Sequence, residues 1–324
     1  MSVTRKRISI VTPVFNEELT VRLFYERLAK ALAPLREHYD VEIIFSNNRS
    51  TDRTAERVLE LRAHDPAVQL LTLSRNFGYQ QSMLAGLRQA SGDAICFIDV
   101  DGEDPPEMIP DFVRHWEEGY DIVYGERDQR AESFLITGMR KIFYRLNRMI
   151  ADSDILLDMA EFSLFTADVR DAVAASGSTY PFLRAEIAHF GFRRKGIRYD
   201  RQPRIAGTSH FNLYSMTRFA VAGILSSTTV PLRAALYLLP PLFVINALGL
   251  WAEASGRWAW GFELLVTADL LYLCVGLAIV ALYTARNYRN VIARPLAVVD
   301  WRLSALNTPR ESSPNDLPRQ GPRV

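Results

Sequence analysis

Three carboxylates at alternating positions follow a short apolar run in the first half of the chain. Asp99, Asp101 and Glu103 come directly after the run ICFI, and the acidic segment ends with DPPE at residues 104–107. Hard oxygen ligands gathered at a strand end suit Mg²⁺ or Mn²⁺, and these ions in turn suit a diphosphate. The pattern therefore predicts a metal site, with an acidic, proline-terminated surface turn as the alternative.

Alternating strand and helix signals from residue 7 to about residue 125 must position these carboxylates. Strands are predicted over residues 7–13, 41–45, 68–73 and 94–98. Helices are predicted over residues 17–35, after residue 52 through 61, and near 80–90. Leu19, Leu23, Leu28 and Leu32 are expected on the apolar face of the first helix. Strands separated by such helices indicate βαβ units and a mostly parallel α/β sheet, which binds its ligands at the carboxyl ends of the strands.

Composition and motifs exclude several functional classes. The turn after the first strand, PVFNEE, has no G-x-G-x-x-G sequence, and no Walker A sequence occurs in the chain. A phosphate must then be neutralised by a metal and cationic side chains, which counts against NAD or ATP chemistry. The formal net charge is only +1, so no nucleic-acid partner is expected. Cys96 and Cys274 lie far apart and indicate no disulfide framework.

Two long runs in the last third of the chain are almost free of charge. Residues 234–252 carry no charged side chain, and residues 264–285 carry only Asp269. Each run reaches the roughly 20 residues that a helix needs to cross a bilayer. We therefore expect a two-helix transmembrane hairpin over residues 229–290, with a buried helical hairpin of a soluble core as the alternative. Pro240 and Pro241 should kink the first span.

The flanking charges predict the orientation of this hairpin. Arg218 and Arg233 precede the first uncharged run and three arginines, at 286, 289 and 294, follow the second, whereas the connecting loop has only Arg257. The positive-inside rule places the large N-terminal domain and both termini in the cytoplasm, on the inner (cytoplasmic) membrane. An amphipathic juxtamembrane helix is expected over residues 211–228, and residues 301–324 read as a disordered tail.

Several segments, in this order and spacing, resemble the family 2 glycosyltransferases, whose catalytic domain has the GT-A fold. They are IVTPVFNEE at 10–18, NFGYQ at 76–80, AGL at 85–87, ASGD at 90–93, DVDGEDPPE at 99–107, YDIVYGER at 120–127, FYRLNR at 143–148 and RIAGTS at 204–209. They are similar to the membrane-anchored branch that includes dolichol-phosphate mannose synthase-like and bactoprenol glucosyltransferase-like enzymes. The resemblance covers residues 7 to about 290. It implies a GT-A nucleotide-sugar-binding domain over residues 1–210, followed by juxtamembrane and transmembrane helices.

The resemblance also implies an activity. It is an inverting transfer of a hexose from a nucleotide sugar, with a UDP-sugar favoured, to a polyprenyl phosphate at the cytoplasmic membrane face. Asp99, Asp101 and Glu103 are then the expected ligands of Mg²⁺ or Mn²⁺, which stabilises charge on the departing diphosphate. Glu103 stands where this branch commonly has glutamine.

Arginines and one further carboxylate are the expected groups around the acceptor. Arg127 and Arg204 are the leading ligands of the acceptor phosphate, because a guanidinium holds phosphate oxygens in two-point contacts. Arg140 and Lys141 are second choices, with a solvated basic face near anionic lipid headgroups as the alternative. Glu161 occupies a position where the family usually has aspartate. We expect it to orient a group or act as an acid or base, or else to be a buried structural carboxylate.

The donor side departs from the family pattern. Pro13, Asn16, Glu18 and the metal ligand Asp99 are expected next to the nucleotide, with helix capping as the alternative for the first-loop residues. After the second strand the family typically has two aspartates followed by Gly-Ser, and this chain has SNNRSTD. The family aspartate accepts a hydrogen bond from the base, whereas Asn47 can accept or donate. Uracil, guanine and cytosine therefore all stay open.

Two other functions stay open on the sequence. One is a membrane-anchored glycosyltransferase with a different glycan or glycolipid acceptor. The other is a catalytically silent scaffold of the same fold, which the replacement by Asn47 and Asn48 motivates. The sequence identifies neither the sugar nor the pathway, and a homo-oligomer is compatible with it although no interface is specified.

Overall fold

The computed structural model describes residues 5–127, 159–176, 182–205, 228–257, 261–292 and 294–307. The strands of this part are β1 (Arg7–Val14), β2 (Asp40–Asn47), β3 (Val68–Thr72), β4 (Ala94–Phe97), β5 (Ile122–Arg127), β6 (Met159–Thr166) and β7 (Arg194–Tyr199). Its helices are α1 (Val21–Leu32), α2 (Thr54–His64), α3 (Tyr79–Gln89), α4 (Ile109–Glu117), α5 (Ala167–Ala175), α6 (Leu183–His189), α7 (Val230–Tyr237), α8 (Leu239–Ala254) and α9 (Gly261–Ile292). Short 3₁₀ helices cover Leu35–Glu37, Pro106–Met108 and Trp301–Leu303.

The strands form one sheet in the order β3-β2-β1-β4-β6-β5-β7. All neighbouring pairs are parallel except the two that involve β6, which runs antiparallel to β4 and β5. The predicted mostly parallel α/β sheet is therefore confirmed. The direction of winding changes between β1 and β4, and at such a switch point the carboxyl ends of the strands open a crevice for ligands.

Two apolar cores cover the two faces of the sheet, because its central strands are buried on both sides. One core joins β1 to α1, α2 and α4, and the other joins it to α3, α5 and α6. On α1 the buried residues include Phe24, Leu28 and Leu32, whereas Leu19 and Leu23 are 67% and 45% exposed. The expectation for these two leucines was wrong. The helix begins only at Val21, so Leu19 lies before it and Leu23 lies beside the face centred on Phe24 and Leu28.

The apolar C-terminal runs form two candidate membrane spans, Val230–Ala254 and Gly261–Ile292, with mean hydropathies of 1.7 and 2.3. Only 6% of the most apolar window of each span is buried. A helical hairpin inside a soluble core would be mostly buried, so this exposure contradicts that alternative and indicates membrane association. The first span breaks at Leu238, and Pro240 and Pro241 lie in the first turn of α8, where a missing N–H costs least.

The segment after the second span returns to the sheet. Residues 294–307, called here the post-membrane segment, lie along the edge strand β3, with bridges from Val299 to Leu73 and from Ala305 to Leu70. Residues 301–307 were expected to be disordered, and the structure corrects this. Their backbone groups satisfy the open hydrogen-bonding edge of β3. Residues 308–324 lie outside the described residues, as do residues 206–227, which hold most of the expected juxtamembrane helix and the expected domain boundary at residue 210.

Candidate active site

The acidic motif lies at the carboxyl end of β4, beside the crevice. Asp99 follows β4 by two residues, and its Oδ1 accepts a hydrogen bond of 2.6 Å from the hydroxyl of Tyr79 at the start of α3. Burial raises the pKa of Asp99 to about 7, and the nearby carboxylates of Asp104 and Asp101 contribute in the same direction. The site therefore concentrates negative charge, which a cation would stabilise.

Arg204 supplies a positive charge to this cluster. Its Nη2 lies 3.0 Å from Asp101 Oδ2, its Nε 3.5 Å from Glu103 Oε1, and its Nη1 4.0 Å from Glu17 Oε1. Glu103 also pairs with Arg201. The structure thus brings Arg204 to Asp101 and Glu103, although Arg204 lies about a hundred positions after them in the sequence.

Backbone hydrogen bonds fix the segment that carries Arg204. The amide of Gln202 donates to the carbonyl of Glu103 at 2.9 Å, and the amide of Ile205 donates to the carbonyl of Asp101 at 3.0 Å. Between these two bonds lies Gly102, whose φ of +73° belongs to the left-handed region and whose missing Cβ leaves room for Ile205. The acidic motif and residues 201–205 therefore lie side by side, which explains why glycine occupies position 102.

The donor chemistry of the cluster fits a divalent cation, but its side chains are not arranged as a complete site. Among the described residues no group of three or more His, Cys, Asp or Glu has a metal-holding arrangement. Asp99 is directed to Tyr79, and Asp101 and Glu103 face Arg204. Asp99 and Asp101 offer the hard carboxylate oxygens that Mg²⁺ and Mn²⁺ prefer, and a cation at Asp101 would compete with the guanidinium of Arg204. The expectation that Asp99, Asp101 and Glu103 are metal ligands stays a prediction.

Arg127, at the end of β5, borders the same crevice through a buried carboxylate. Its Nη2 lies 3.5 Å from Asp104 Oδ1, and its Nε donates to the hydroxyl of Tyr199 at 3.2 Å. That hydroxyl in turn donates to Asp104 Oδ1. Burial raises the pKa of Asp104, and the charge of Arg127 opposes the rise. Arg127 therefore has a structural partner as well as its expected role toward the acceptor.

Glu161 on β6 completes the row of carboxylates. The antiparallel pairing of β4 with β6 ends with Phe97 opposite Ser163. Asp99 and Glu161 each lie two residues beyond that pair, close enough for the charge of Glu161 to contribute to the raised pKa of Asp99. Gln80 donates to Glu161 Oε1 at 3.1 Å. Burial raises the pKa of Glu161, and the charge of Arg184 opposes the rise. The structure places Glu161 beside the predicted metal ligands, and its role toward substrates stays a prediction. Arg140 and Lys141 lie outside the described residues.

The first-loop residues expected at the donor connect β1 to the turn after β2. Pro13 is part of β1 and is paired with Ser46. Asn16, whose φ is +55°, accepts a hydrogen bond of 2.8 Å from the amide of Thr51, and Glu18 Oε2 accepts one of 3.0 Å from the amide of Arg53. Neither Asn16 nor Glu18 caps α1, which has no side-chain cap. Glu18 instead binds the backbone amide of Arg53, just before α2, which also has no side-chain cap.

Asn47 and Asn48 organise the turn at the end of β2. Asn47 Oδ1 accepts a hydrogen bond of 2.9 Å from the amide of Ser50, and its Nδ2 lies 3.5 Å from Thr72 Oγ1. Because a backbone N–H can only donate, this bond assigns the oxygen end of the Asn47 amide. Asn48 makes two bonds of its own, from the amide of Phe77 at 2.8 Å and to Asn76 Oδ1 at 2.9 Å.

Sequence reasoning missed Asp104, Tyr199 and Tyr79 as site residues. Asp104 and Tyr79 lie inside motifs that the sequence singled out, but nothing in their spacing showed which carboxylate or arginine each would contact. Tyr199 has no local signal, since it reaches Asp104 only because β7 pairs with β5.

Comparison with known proteins places the chain in a broad group of sugar transferases. The family model "Glycosyl transferase family 2" matches residues 9–171. The uncharacterized glycosyltransferase YkcC of Bacillus subtilis is 33% identical over 303 residues, which is 90% of this chain and 92% of that protein. The bactoprenol glucosyl transferase of Shigella phage SfII is 33% identical over 307 residues, covering 90% of this chain and 97% of that one.

Solved structures give a weaker likeness. The glucosyl-3-phosphoglycerate synthase of Mycobacterium tuberculosis has a TM-score of 0.46 at 20% identity, over 68% of this chain and 79% of that chain. The mannosyltransferase PcManGT of Pyrobaculum calidifontis, in complex with GDP-Man and Mn²⁺, has a TM-score of 0.41 at 16% identity, over 89% and 88% of the two chains.

Proposed function

The chain belongs to glycosyl transferase family 2, and we propose that it transfers a hexose from a nucleotide sugar to a polyprenyl phosphate with inversion at the anomeric carbon. One observation supports this most directly. A row of buried and half-buried carboxylates is bordered by Arg127 and Arg204, at the switch point of an α/β sheet whose chain continues into two exposed apolar helices. Similarity to a bactoprenol glucosyl transferase over nine-tenths of the chain supports a polyprenyl phosphate acceptor.

The residues of the crevice match the parts of this reaction. An oxygen of the acceptor phosphate attacks the anomeric carbon, a new carbon–oxygen bond forms, and the bond from that carbon to the nucleoside diphosphate breaks on the opposite face. A divalent cation bound by Asp99 and Asp101 would supply charge stabilisation to the departing diphosphate. The donor is expected between this cluster and the turn of Asn47, and UDP-sugars are our first choice.

The acceptor needs orientation more than deprotonation. A phosphate monoester has a second pKa of about 6 and is already largely dianionic near neutral pH. Arg127 and Arg204 would hold its oxygens and screen its charge while it approaches the sugar. Glu161, close to Asp99, would orient the donor sugar. With the arginine-rich flanks in the cytoplasm, the acceptor phosphate would reach the crevice from the inner leaflet.

A purified full-length protein in detergent tests the proposal. With Mn²⁺ or Mg²⁺ and a panel of UDP-, GDP- and CDP-sugars, nucleoside diphosphate should be released only when polyprenyl phosphate is present. The labelled lipid product should be labile to mild acid, as a phosphodiester-linked sugar is. Asp101→Asn should abolish release, whereas Asp111→Asn, on the exposed side of α4, should leave it unchanged.

Two results would contradict the proposal. Transfer to a glycan or glycolipid without any polyprenyl phosphate would favour the other acceptor class. Nucleotide-sugar binding that fails in every sugar and metal combination, by a protein that is folded, would favour the silent scaffold.

A further inference from the structure

We infer that the post-membrane segment forms one wall of the donor site, with Asp300 as a positioning residue that holds Arg49 against the nucleotide. The inference rests on the proposed function, because it takes the turn after β2 as the place where the base binds. It adds a part of the chain beyond both membrane spans to the donor site.

The post-membrane segment is fixed along β3 by backbone bonds. The amide and carbonyl of Ala305 bond to the carbonyl and amide of Leu70 at 2.7 and 3.0 Å, and the amide of Asp300 donates to the carbonyl of Thr72 at 2.8 Å. Ala297 is buried in the second core. A segment with these bonds has a defined position, so its side chains can take part in a site.

Thr72, at the end of β3, connects the post-membrane segment to the side chain of Asn47. The amide of Thr72 donates to Ser304 Oγ at 2.9 Å, and its hydroxyl donates to the carbonyl of Leu303 at 2.9 Å. Because the single hydroxyl proton goes to Leu303, Thr72 Oγ1 faces Asn47 Nδ2 as an acceptor. The segment thereby stabilises the orientation of the Asn47 amide from the β3 side, as Ser50 does from the other side.

Arg49 is the residue that the segment positions directly. Its φ is +62°, a left-handed backbone conformation that is strained for residues other than glycine and asparagine. Its Nη1 lies 3.4 Å from Asp300 Oδ2, and Asp300 is itself held by Arg302 through bonds of 3.1 Å. A strained arginine at the mouth of the predicted donor site, held by a carboxylate from a distant segment, is better explained by a ligand than by the weak energy of an exposed ion pair.

The chemistry of this wall suits a base that offers acceptors. The guanidinium of Arg49 has only donors, and the oxygen end of Asn47 is taken by Ser50. The exocyclic oxygens of a pyrimidine, and the ring nitrogen of cytosine, are acceptors. We therefore expect Arg49 to contribute to discrimination between nucleoside diphosphates as well as to their affinity.

Binding of UDP, CDP and GDP to the full-length protein in detergent, measured by calorimetry with Mn²⁺ present, tests the inference. Asp300→Asn and Arg49→Gln should each lower the affinity for the preferred nucleotide about 3- to 10-fold. Each should also reduce the ratio of affinities between the preferred nucleotide and the others. The double variant should bind the nucleotide no more weakly than Arg49→Gln alone, since both changes act through one contact. Asn307→Ala, at the far end of the segment, removes the side-chain bonds of Asn307 to the carbonyl of Pro66 and to Arg62 without touching Arg49, and it should leave the ratio unchanged.

The outcomes are separable. Unchanged nucleotide ratios in Asp300→Asn and Arg49→Gln would overturn the inference while leaving the proposed function intact. An equal loss in Asn307→Ala would also overturn it, because the segment would then act only through stability, which thermal unfolding of each variant reports. If the wild-type protein binds no nucleotide, both the inference and the proposed function fail.

Discussion

Replacement of Arg204 by glutamine should increase the affinity of the site for Mn²⁺, although it removes a residue expected to bind the acceptor. The guanidinium of Arg204 lies 3.0 Å from Asp101 and 3.5 Å from Glu103. A cation that binds Asp101 must compete with this resident positive charge. Glutamine removes the charge and keeps much of the side-chain volume, so the carboxylates become available to the metal.

The size of the effect follows from the environment of the pair. Two unit charges 4 Å apart interact by about 4 kcal/mol at an effective dielectric constant near 20. The Arg204 side chain is 27% exposed, so solvent screening reduces this value. A charge-assisted hydrogen bond has a net strength of about 1.5–3 kcal/mol, and we take about 1–2 kcal/mol for the partly solvated pair. This corresponds to a dissociation constant for Mn²⁺ about 5- to 30-fold lower in Arg204→Gln.

Electron paramagnetic resonance of free Mn²⁺, titrated with full-length protein in the absence of substrates, measures this constant directly. Thermal unfolding should show the variant less stable than the wild type without Mn²⁺ and more strongly stabilised by it. Transfer to polyprenyl phosphate should still fall. Arg198→Gln, an exposed residue 3.9 Å from Glu126, makes the same charge change away from Asp101 and should not alter Mn²⁺ affinity. An unchanged or weaker Mn²⁺ affinity in Arg204→Gln would refute the reasoning.

Three further outcomes are expected. Gly86→Ala should destabilise the protein by about 1–3 kcal/mol, seen as a lower melting temperature, because the new Cβ would lie 2.6 Å from Val11 Cγ1. Burial raises the pKa of Glu161, so the folded protein loses stability relative to the unfolded chain as the pH rises through that raised pKa. Glu161→Gln should therefore reduce the fall in melting temperature that the wild type shows as the pH rises above the usual range of a glutamate. Tyr199→Phe removes a donor from the buried Asp104 and should cost about 1–3 kcal/mol in denaturant unfolding.

The sheet was predictable from the sequence where strands and helices alternate, because apolar runs of strand length between helical segments leave few other folds. The boundaries of the strands were less predictable than their existence. The strand β2 extends from Asp40 to Asn47, beyond the apolar run VEIIF, because its polar ends pair with β1. The antiparallel strand β6 had no signal, since the direction of a strand depends on partners far away in sequence.

The grouping of the acidic motif at one strand end was predictable, but the contacts of its side chains were not. Asp99, Asp101 and Glu103 stand in one motif, and their spacing alone indicated a common site. The contact of Arg204 with Asp101 was not predictable, because it depends on two backbone hydrogen bonds between residues 201–205 and the acidic motif. The expectation of disorder was wrong for residues 301–307 for a related reason. The prolines on which it rested begin only at residue 309, and residues 301–307 gain their order from the open edge of β3.

The contacts of Arg204 give the acidic motif a second physical meaning. The crevice brings together the carboxylates of Asp99, Asp101, Asp104 and Glu161. Without positive charge nearby these carboxylates would repel one another, and burial strengthens that repulsion. Arg204 and Arg127 supply such charge when no metal is bound. If Asp101 held a metal, the guanidinium of Arg204 would be available to bind another anion. In the proposed reaction that anion is the acceptor phosphate, so the same arginine would stabilise the empty crevice and then orient the nucleophile.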